Sequence, residues 1–241
     1  MAKKLRIDKV LSNVGYGSRA EIKKYCRYGI ISVNGKVVNN PGLQVDPEND
    51  KIIFDGEEVN YREYIYIMLN KPKGYISATF DKFDPIVLDL IDPSYLGFEP
   101  FPVGRLDKDT EGLLVLTNDG KLSHRVLSPK KHVPKTYYAK IEGIVTEEDV
   151  KAFEEGVTFL DDGYKTMPAQ LNILKSGEES EIEITIHEGK FHQVKRMFES
   201  VCKKVVYLKR LSMGNLKLDE SLALGEYREL TIEEIKQIEE R

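Results

Sequence analysis

The stretch from Val103 to Gly120 constrains this chain more than any other. It opens as Val103-Gly104-Arg105-Leu106-Asp107-Lys108-Asp109-Thr110-Glu111, runs on as Gly112-Leu113-Leu114-Val115-Leu116, and stops at Thr117-Asn118-Asp119-Gly120. An unbroken apolar run of strand length, closed by Asn-Asp-Gly, predicts a buried strand feeding a tight turn. Ahead of it crowd Arg105, Asp107, Lys108, Asp109 and Glu111. Charges packed so densely against a core strand are either a wet loop or a reactive site, and periodicity alone favours the loop.

A chain of 241 residues has room for one large domain or two. With 41% hydrophobic and 32% charged residues it falls among ordinary globular proteins, not disordered or fibrous ones. The net charge of -4 is unevenly spread. Residues 1–40 carry Lys3, Lys4, Arg6, Lys9, Arg19, Lys23, Lys24, Arg27 and Lys36 against Asp8 and Glu21, about +7 in all, while the C-terminal end leans acidic. A basic arm on an acidic whole points to a polyanionic partner for that arm. Cys26 and Cys202 are too few for a disulfide framework. Met1-Ala2-Lys3-Lys4 leads into no apolar signal, and no apolar run approaches membrane-spanning length, so a reduced cytoplasmic protein without a membrane partner is expected. Internal repeats and low-complexity tracts are absent.

The first forty residues read as a compact module. Ile7, Val10, Leu11 and Val14 fall at helical spacing, and Gly15-Tyr16-Gly17 ends that helix. Ser18-Arg19-Ala20-Glu21 is a capping box opening a second helix, which buries Ile22 and Cys26, exposes Lys23, Lys24 and Arg27, and stops at Gly29. Ile30 to Val38 then spells two short strands across Asn34-Gly35, a strong hairpin signal. Two helices, a hairpin and a basic surface resemble the S4 RNA-binding domain over about residues 5–55. Arg19, Lys23, Lys24 and Arg27 can then line one helix face against RNA phosphates, where they position the protein without reading sequence. A solvated face is the bland alternative for the same charges.

Beyond a polar turn at Asp46–Asp50, a strand at Lys51–Phe54 and a turn at Asp55-Gly56, a domain boundary falls near residues 59–64. Tyr64–Leu69 reads as a strand running into Lys71-Pro72-Lys73-Gly74, a simple β-turn that places Lys71 or Lys73 near RNA backbone. Lys121–Leu127 is a short helix, and Ser128–His132 a basic loop. His124 and His132 have no Cys, Asp or Glu at ligand spacing, so no metal site is expected. Lys135–Ile141 is a strand with Tyr137 and Ala139 on one face, Tyr138 and Lys140 on the other. Residues 146–156 are a capped helix, and Glu181–Ile186 alternates as a strand. Val194, Met197, Phe198 and Val201 form an apolar helical stripe flanked by Lys195 and Arg196. Thr231 caps a terminal helix with Ile232, Ile235 and Ile238 inside.

Gly104-Arg105-Leu106-Asp107, with Thr110, Gly112-Leu113-Leu114 and Thr117-Asn118-Asp119-Gly120, resembles the signature of the pseudouridine synthases that modify ribosomal RNA. Lys71-Pro72-Lys73-Gly74 resembles the opening motif of that family, and His192-Gln193-Val194-Lys195-Arg196-Met197-Phe198 its third. The resemblance makes Asp107 the nucleophile, Tyr137 the ring that stacks on the target base, and Lys195 the cation paired with Asp107, where many relatives use arginine. It also makes Arg105 a filler of the space left by the extruded nucleotide, and Lys135 and Arg196 further RNA contacts, with a salt bridge elsewhere as the alternative for Arg196. Conversion of uridine to pseudouridine breaks the N–C1′ bond, turns the base and rejoins it through C5. That needs an ionised carboxylate facing the sugar, a cation beside it and an extracted base, but no cofactor. Whether Asp107 attacks or acts as base in a glycal route stays open.

Ser123-His124-Arg125, Ser128-Pro129, His132, Lys135-Thr136-Tyr137 and Gly225-Glu226-Tyr227-Arg228 are similar to the small-subunit branch of the family, the RsuA type. The resulting expectation is an α+β chain: a small S4-like RNA-binding domain over residues 1–60, then a catalytic domain over 61–241 with a mixed, mainly antiparallel sheet, flanking helices and Asp107 between two lobes. Its expected activity is isomerisation of one uridine in 16S ribosomal RNA, free or in a partly assembled small subunit, by a monomeric enzyme. The alternatives are a large-subunit (23S) synthase and a non-catalytic ribosome-assembly factor. A glycoside hydrolase built on Asp107 and Asp109 is disfavoured, because two residues so close in one loop do not face each other across a substrate.

Overall fold

A computed structural model describes residues 4–47 and 49–238; Lys3 of the basic arm and Glu48 of the Asp46–Asp50 turn lie outside the described residues. The chain forms two compact units. One comprises the residues up to Ile65 together with Ile91–Phe101, the other Tyr66–Leu90 together with the chain from Pro102 onward.

In the first unit, helices Ile7–Asn13 and Arg19–Tyr28 pack their apolar stripes on a small antiparallel sheet ordered 36–37, 31–33, 52–54, 57–58. Ile7, Val10, Leu11, Ile22, Cys26, Ile31 and Ile52 are its buried centre. Ser18 and Glu21 make the expected box, with Glu21 N–H donating to Ser18 Oγ at 3.3 Å and Ser18 N–H to the Glu21 carboxylate at 2.8 Å. The hairpin turns at Asn34-Gly35, as its sequence implies. Asn34 and Gly35 both take positive φ (50° and 77°), the geometry whose twist matches two paired strands. No local pattern marks Pro93–Phe98, a short 3-10 helix, as part of this unit. There Gly97 lies so close to the first helix that a Cβ would meet Ser12 O at 2.8 Å.

The second unit is one twisted sheet with helices packed on it. Its strands run in the order Gln170–Lys175, Glu179–Ile186, Lys135–Glu142, Lys204–Met213, Glu111–Thr117, Tyr66–Lys71, Tyr227–Glu229. Neighbours are antiparallel except at one seam, where Lys209 and Arg210 pair in parallel with Glu111 and Gly112. The sheet is continuous across that seam, so the two expected lobes are two antiparallel blocks of a single sheet. Glu111–Thr117 is buried at every position, which explains its unbroken apolar run. Truncating Leu113 or Leu114 there would cost about 2–5 kcal/mol. Gly112 is required at the seam: its φ is +100° and a Cβ would sit 2.3 Å from Arg210 O. In the terminal helix, Ile238 is buried, but Ile232 is 69% exposed and does not face inward as the spacing suggested. Among the described residues no helix is long and apolar enough to cross a membrane.

Candidate active site

The loop 104–110 enters the sheet at its parallel seam, and backbone clamps fix its course. Leu106 N–H donates to Ser77 Oγ at 3.0 Å, and that hydroxyl in turn donates to Leu106 O at 3.0 Å. From below, the wholly buried Lys71 ammonium donates to Asp107 O at 3.1 Å, Thr110 O at 2.8 Å and Pro72 O at 3.1 Å. The turn is structural, as its sequence implies, but Lys71, one of the two lysines offered to RNA backbone, is an internal pin. Burial pushes its ammonium down to about 8, against the raising pull of Asp109, Asp107 and Glu111. Lys73 lies over the Tyr207 ring, 4.9 Å from its centroid.

So held, the Asp107 carboxylate faces a pocket of about 630 Å3, a volume typical of small-ligand sites. Lys195, on helix Gln193–Ser200, brings its Nζ to 3.3 Å from Asp107 Oδ2. It stands closer to Asp109, at 2.7 and 2.9 Å from the two carboxylate oxygens. Lys195 is therefore shared by two carboxylates, a geometry that pairing with Asp107 alone did not anticipate. Partial burial works to lower its pKa, but the hydrogen bond to Asp109 and the charges of Asp107 and Asp109 outweigh it, so the ammonium is held above its ordinary value. The Asp109 carboxyl is correspondingly held below the usual range; burial opposes this and the Lys195 hydrogen bond prevails. His192 brings Nε2 to 3.6 Å from the other Asp107 oxygen, Oδ1.

Tyr137 lies on the buried face of Lys135–Glu142 and forms a wall of the same pocket, while Tyr138 points to the other face and donates to Glu181 at 2.7 Å. Arg105 is exposed at the rim. Two residues expected on RNA are differently engaged. Lys135 is only 9% exposed, and its ammonium donates to Val133 O at 2.9 Å; burial pushes it down to about 8. Arg196 turns away to Asp161 and to Asp162, at 2.6 Å from the latter, and stacks over the Phe159 ring at 3.9 Å, which realises its salt-bridge alternative. In the first unit Arg19, Lys23, Lys24 and Arg27 are all exposed on the Arg19–Tyr28 helix.

The rest is held by residues that carry no sequence signal of that role. Glu188 accepts from Tyr164 OH at 2.7 Å, Met167 N–H at 3.0 Å and Gln193 Nε2 at 2.7 Å, which ties the 187–193 loop down ahead of Lys195. Arg210 is 1% exposed, lines the pocket and donates through Nε to Leu113 O at 2.7 Å. Its strand, Lys204–Met213, is absent from the sequence expectation, although Val205-Val206-Tyr207-Leu208 carries the β-branched and aromatic signal.

The sequence pattern of the RNA pseudouridylate synthase family matches residues 65–200, and that of the S4 domain residues 5–52. The chain is 51% identical to an uncharacterized RNA pseudouridine synthase of Bacillus subtilis, over 98% of this chain and 99% of that protein. It is 38% identical to ribosomal small subunit pseudouridine synthase A of Escherichia coli, over 97% of this chain and all (100%) of that one. It is 40% identical to ribosomal large subunit pseudouridine synthase B of Bacillus subtilis, over 97% and 95%. A crystal structure of a pseudouridylate synthase superposes with a TM-score of 0.68 at 39% identity, over 97% of this chain and 99% of the other.

Proposed function

This chain belongs to the RNA pseudouridylate synthase family, whose members isomerise uridine to pseudouridine, and we propose that its substrate is a uridine of small-subunit ribosomal RNA, with Asp107 as the attacking carboxylate. The observation that carries this reading is the Asp107 carboxylate set 3.3 Å from the Lys195 ammonium in a pocket walled by Tyr137. A carboxylate kept beside a cation is ready to attack C1′ of a nucleotide as nucleophile, or to take the C2′ proton as base in the glycal route. Tyr137 offers a face for the extruded uracil. The Lys71 and Ser77 clamps hold the loop in one course before substrate arrives, so little reorganisation is left to the reaction. No group enters from outside and nothing is oxidised.

Ribosomal RNA is supported by the named relatives, whose identities to the small- and large-subunit classes are nearly equal. Preference for the small subunit therefore rests on the resemblance of particular residues. Ser128, Pro129, His132, Lys135 and Tyr137, which carry part of it, all line the pocket that contains Asp107. The first forty-odd residues, with their exposed basic helix, supply sequence-independent hold on phosphates. The proposal is of a cytoplasmic, monomeric enzyme that acts on ribosomal RNA, free or in a partly assembled subunit.

Pseudouridine mapping by carbodiimide labelling and primer extension tests this, on small- and large-subunit RNA, each free and partly assembled, with wild type and Asp107→Asn. A single new stop in small-subunit RNA, absent with the variant, is the expected result. A stop only in large-subunit RNA would move the activity to the other branch. No stop anywhere, with RNA binding retained, would leave a non-catalytic assembly factor.

A further inference from the structure

Buried polar atoms in folded proteins nearly always have partners, and each exception calls for a reason. Among the described residues three buried side-chain atoms have none: Asn70 Oδ1, Thr110 Oγ1 and Arg210 Nη2. Thr110 and Arg210 both line the pocket that Asp107 faces, whereas Asn70 does not. The two come from either side of the parallel seam, Thr110 just ahead of Glu111 and Arg210 opposite Gly112.

Arg210 is the costlier of the two. The other buried or half-buried cations around the Asp107 loop are fully engaged. Lys71 donates to three carbonyls, Lys195 is held by Asp107 and Asp109, and Lys135 donates to Val133 O. Arg210 gives Nε to Leu113 O and leaves Nη2 without any acceptor, although it is 1% exposed. A guanidinium is permanently charged, and a buried charge without a counter-charge is unfavourable unless something else supplies one. Its place in the sheet shows where that something lies. Arg210 is the cross-strand partner of Tyr137 on one side and of Gly112, at the exit of the Asp107 loop, on the other. Side chains of directly paired residues project from the same face, so the guanidinium and the Tyr137 ring share the pocket side of the sheet.

We infer that Arg210 is a catalytic residue of this enzyme: its Nη2 donates to a carbonyl oxygen of the extruded uracil and stabilises the negative charge that the base acquires on leaving the sugar. The inference rests on the proposed isomerase reading. Whether Asp107 attacks C1′ or removes the C2′ proton, the N1–C1′ bond breaks with its electron pair on N1. That charge spreads through the ring to O2 and O4. It is consumed when C5 bonds to C1′, and the C5 proton leaves in a separate step. Bound uridine carries no such charge, so a donor fixed at O2 or O4 is worth more in the transition state of bond cleavage than in the substrate complex.

Pseudouridine mapping identifies the target uridine. The test then uses full-length enzyme and ribosomal RNA carrying uridine, 5-fluorouridine, 2-thiouridine or 4-thiouridine at that position. Loss of the starting nucleoside is followed in single turnovers by nuclease digestion, liquid chromatography and mass spectrometry. Arg210→Gln and Arg210→Lys are compared with wild type, with folding checked by thermal melting. On uridine RNA at saturating enzyme, Arg210→Gln is expected to be about 100-fold slower, and Arg210→Lys intermediate. The half-saturating concentration should stay within about twofold of wild type, because substrate binding does not use the contact. Fluorine makes the departing base a weaker base and so replaces part of what Nη2 supplies. On 5-fluorouridine RNA Arg210→Gln should therefore lose under about 10-fold. Sulfur accepts hydrogen bonds poorly, so wild type itself should be several-fold slower on one of the two thiouridine RNAs, a result that needs no variant to fold.

Equal slowing of Arg210→Gln on uridine and 5-fluorouridine RNA would overturn the inference and leave Arg210 as a pin for Leu113 O. Near-wild-type turnover of Arg210→Gln, or undiminished turnover of wild type on both thiouridine RNAs, would overturn it outright. If wild type forms no pseudouridine in any ribosomal RNA, the isomerase reading falls and takes this one with it. If it does form pseudouridine, the variants and the thiouridine RNAs judge Arg210 alone.

Discussion

Lysines sit in two different kinds of surroundings in this protein, and each kind suits the job proposed for it. Around Asp107, Lys195 and Lys71 stand at fixed distances from carboxylates and carbonyls, one 19% exposed at its side chain and the other fully buried. On the Arg19–Tyr28 helix, Lys23 and Lys24, with Arg19 and Arg27, are exposed on flexible stems. Bond-making needs charges placed within a fraction of an ångström, and burial with several simultaneous bonds achieves that. Holding a phosphate backbone needs only charge at the surface, where counterion release supplies the affinity. Under the proposed function the same residue type is thus a machine part in one unit and a handle in the other.

That contrast can be broken by substitution. The largest effect expected is for Asp107→Asn, which removes the attacking group: turnover should fall about 10,000-fold or more with the melting temperature little changed, as read by single-turnover pseudouridine formation. Next is Lys71→Met, which strands the carbonyls of Pro72, Asp107 and Thr110. It should cost about 2–4 kcal/mol of stability in urea unfolding, offset in part by relief of a buried charge. The pH dependence sharpens this. Lys71 has a folded pKa of about 8 against an ordinary 10.5, so between those values the unfolded chain binds more protons. Stability from this group therefore rises as pH climbs through that window, and below it both states are charged. The gap between wild type and Lys71→Met should widen from pH 8 to 10.5.

Lys195→Met is expected to slow turnover about 100-fold while leaving RNA affinity nearly unchanged. Because Lys195 also holds Asp109, Asp109→Asn should cost much less than Asp107→Asn; equal costs would show that the two carboxylates act as one unit. The smallest effects belong to the basic helix. Single changes Arg19→Gln, Lys23→Gln, Lys24→Gln or Arg27→Gln should each weaken RNA binding several-fold, flatten the salt dependence by about 0.7–0.9 per charge and move stability by under about 0.5 kcal/mol.

Local pattern made much of this legible. The Ser18–Glu21 box, the Asn34-Gly35 turn and the buried strand Glu111–Thr117 are written in neighbouring residues, and each folds as its spacing implies. The pairing of Asp107 with Lys195 came from resemblance, since nothing within either segment announces a partner across the fold. What stayed hidden depends on contacts distant in sequence. Lys71 reads as a surface lysine beside a turn, and only the sheet shows that it lies beneath the Asp107 loop. Arg196 reads like Lys195, yet one helical step of about 100° sends it to Asp161 and Asp162. Asp109 and His192 gain meaning only once the loop and the helix meet. The place of Pro93–Phe98 with the first unit is likewise a property of packing that no local pattern records.

The most direct measurement is single-turnover conversion of ribosomal RNA at saturating enzyme, comparing wild type, Asp107→Asn and the combined Arg19, Lys23, Lys24 and Arg27 to Gln variant. The account predicts that the basic-helix variant, once saturated, reaches the wild-type rate constant while Asp107→Asn forms no product at any concentration. Product from Asp107→Asn at a comparable rate, or a basic-helix variant that binds fully and still does not turn over, would contradict it.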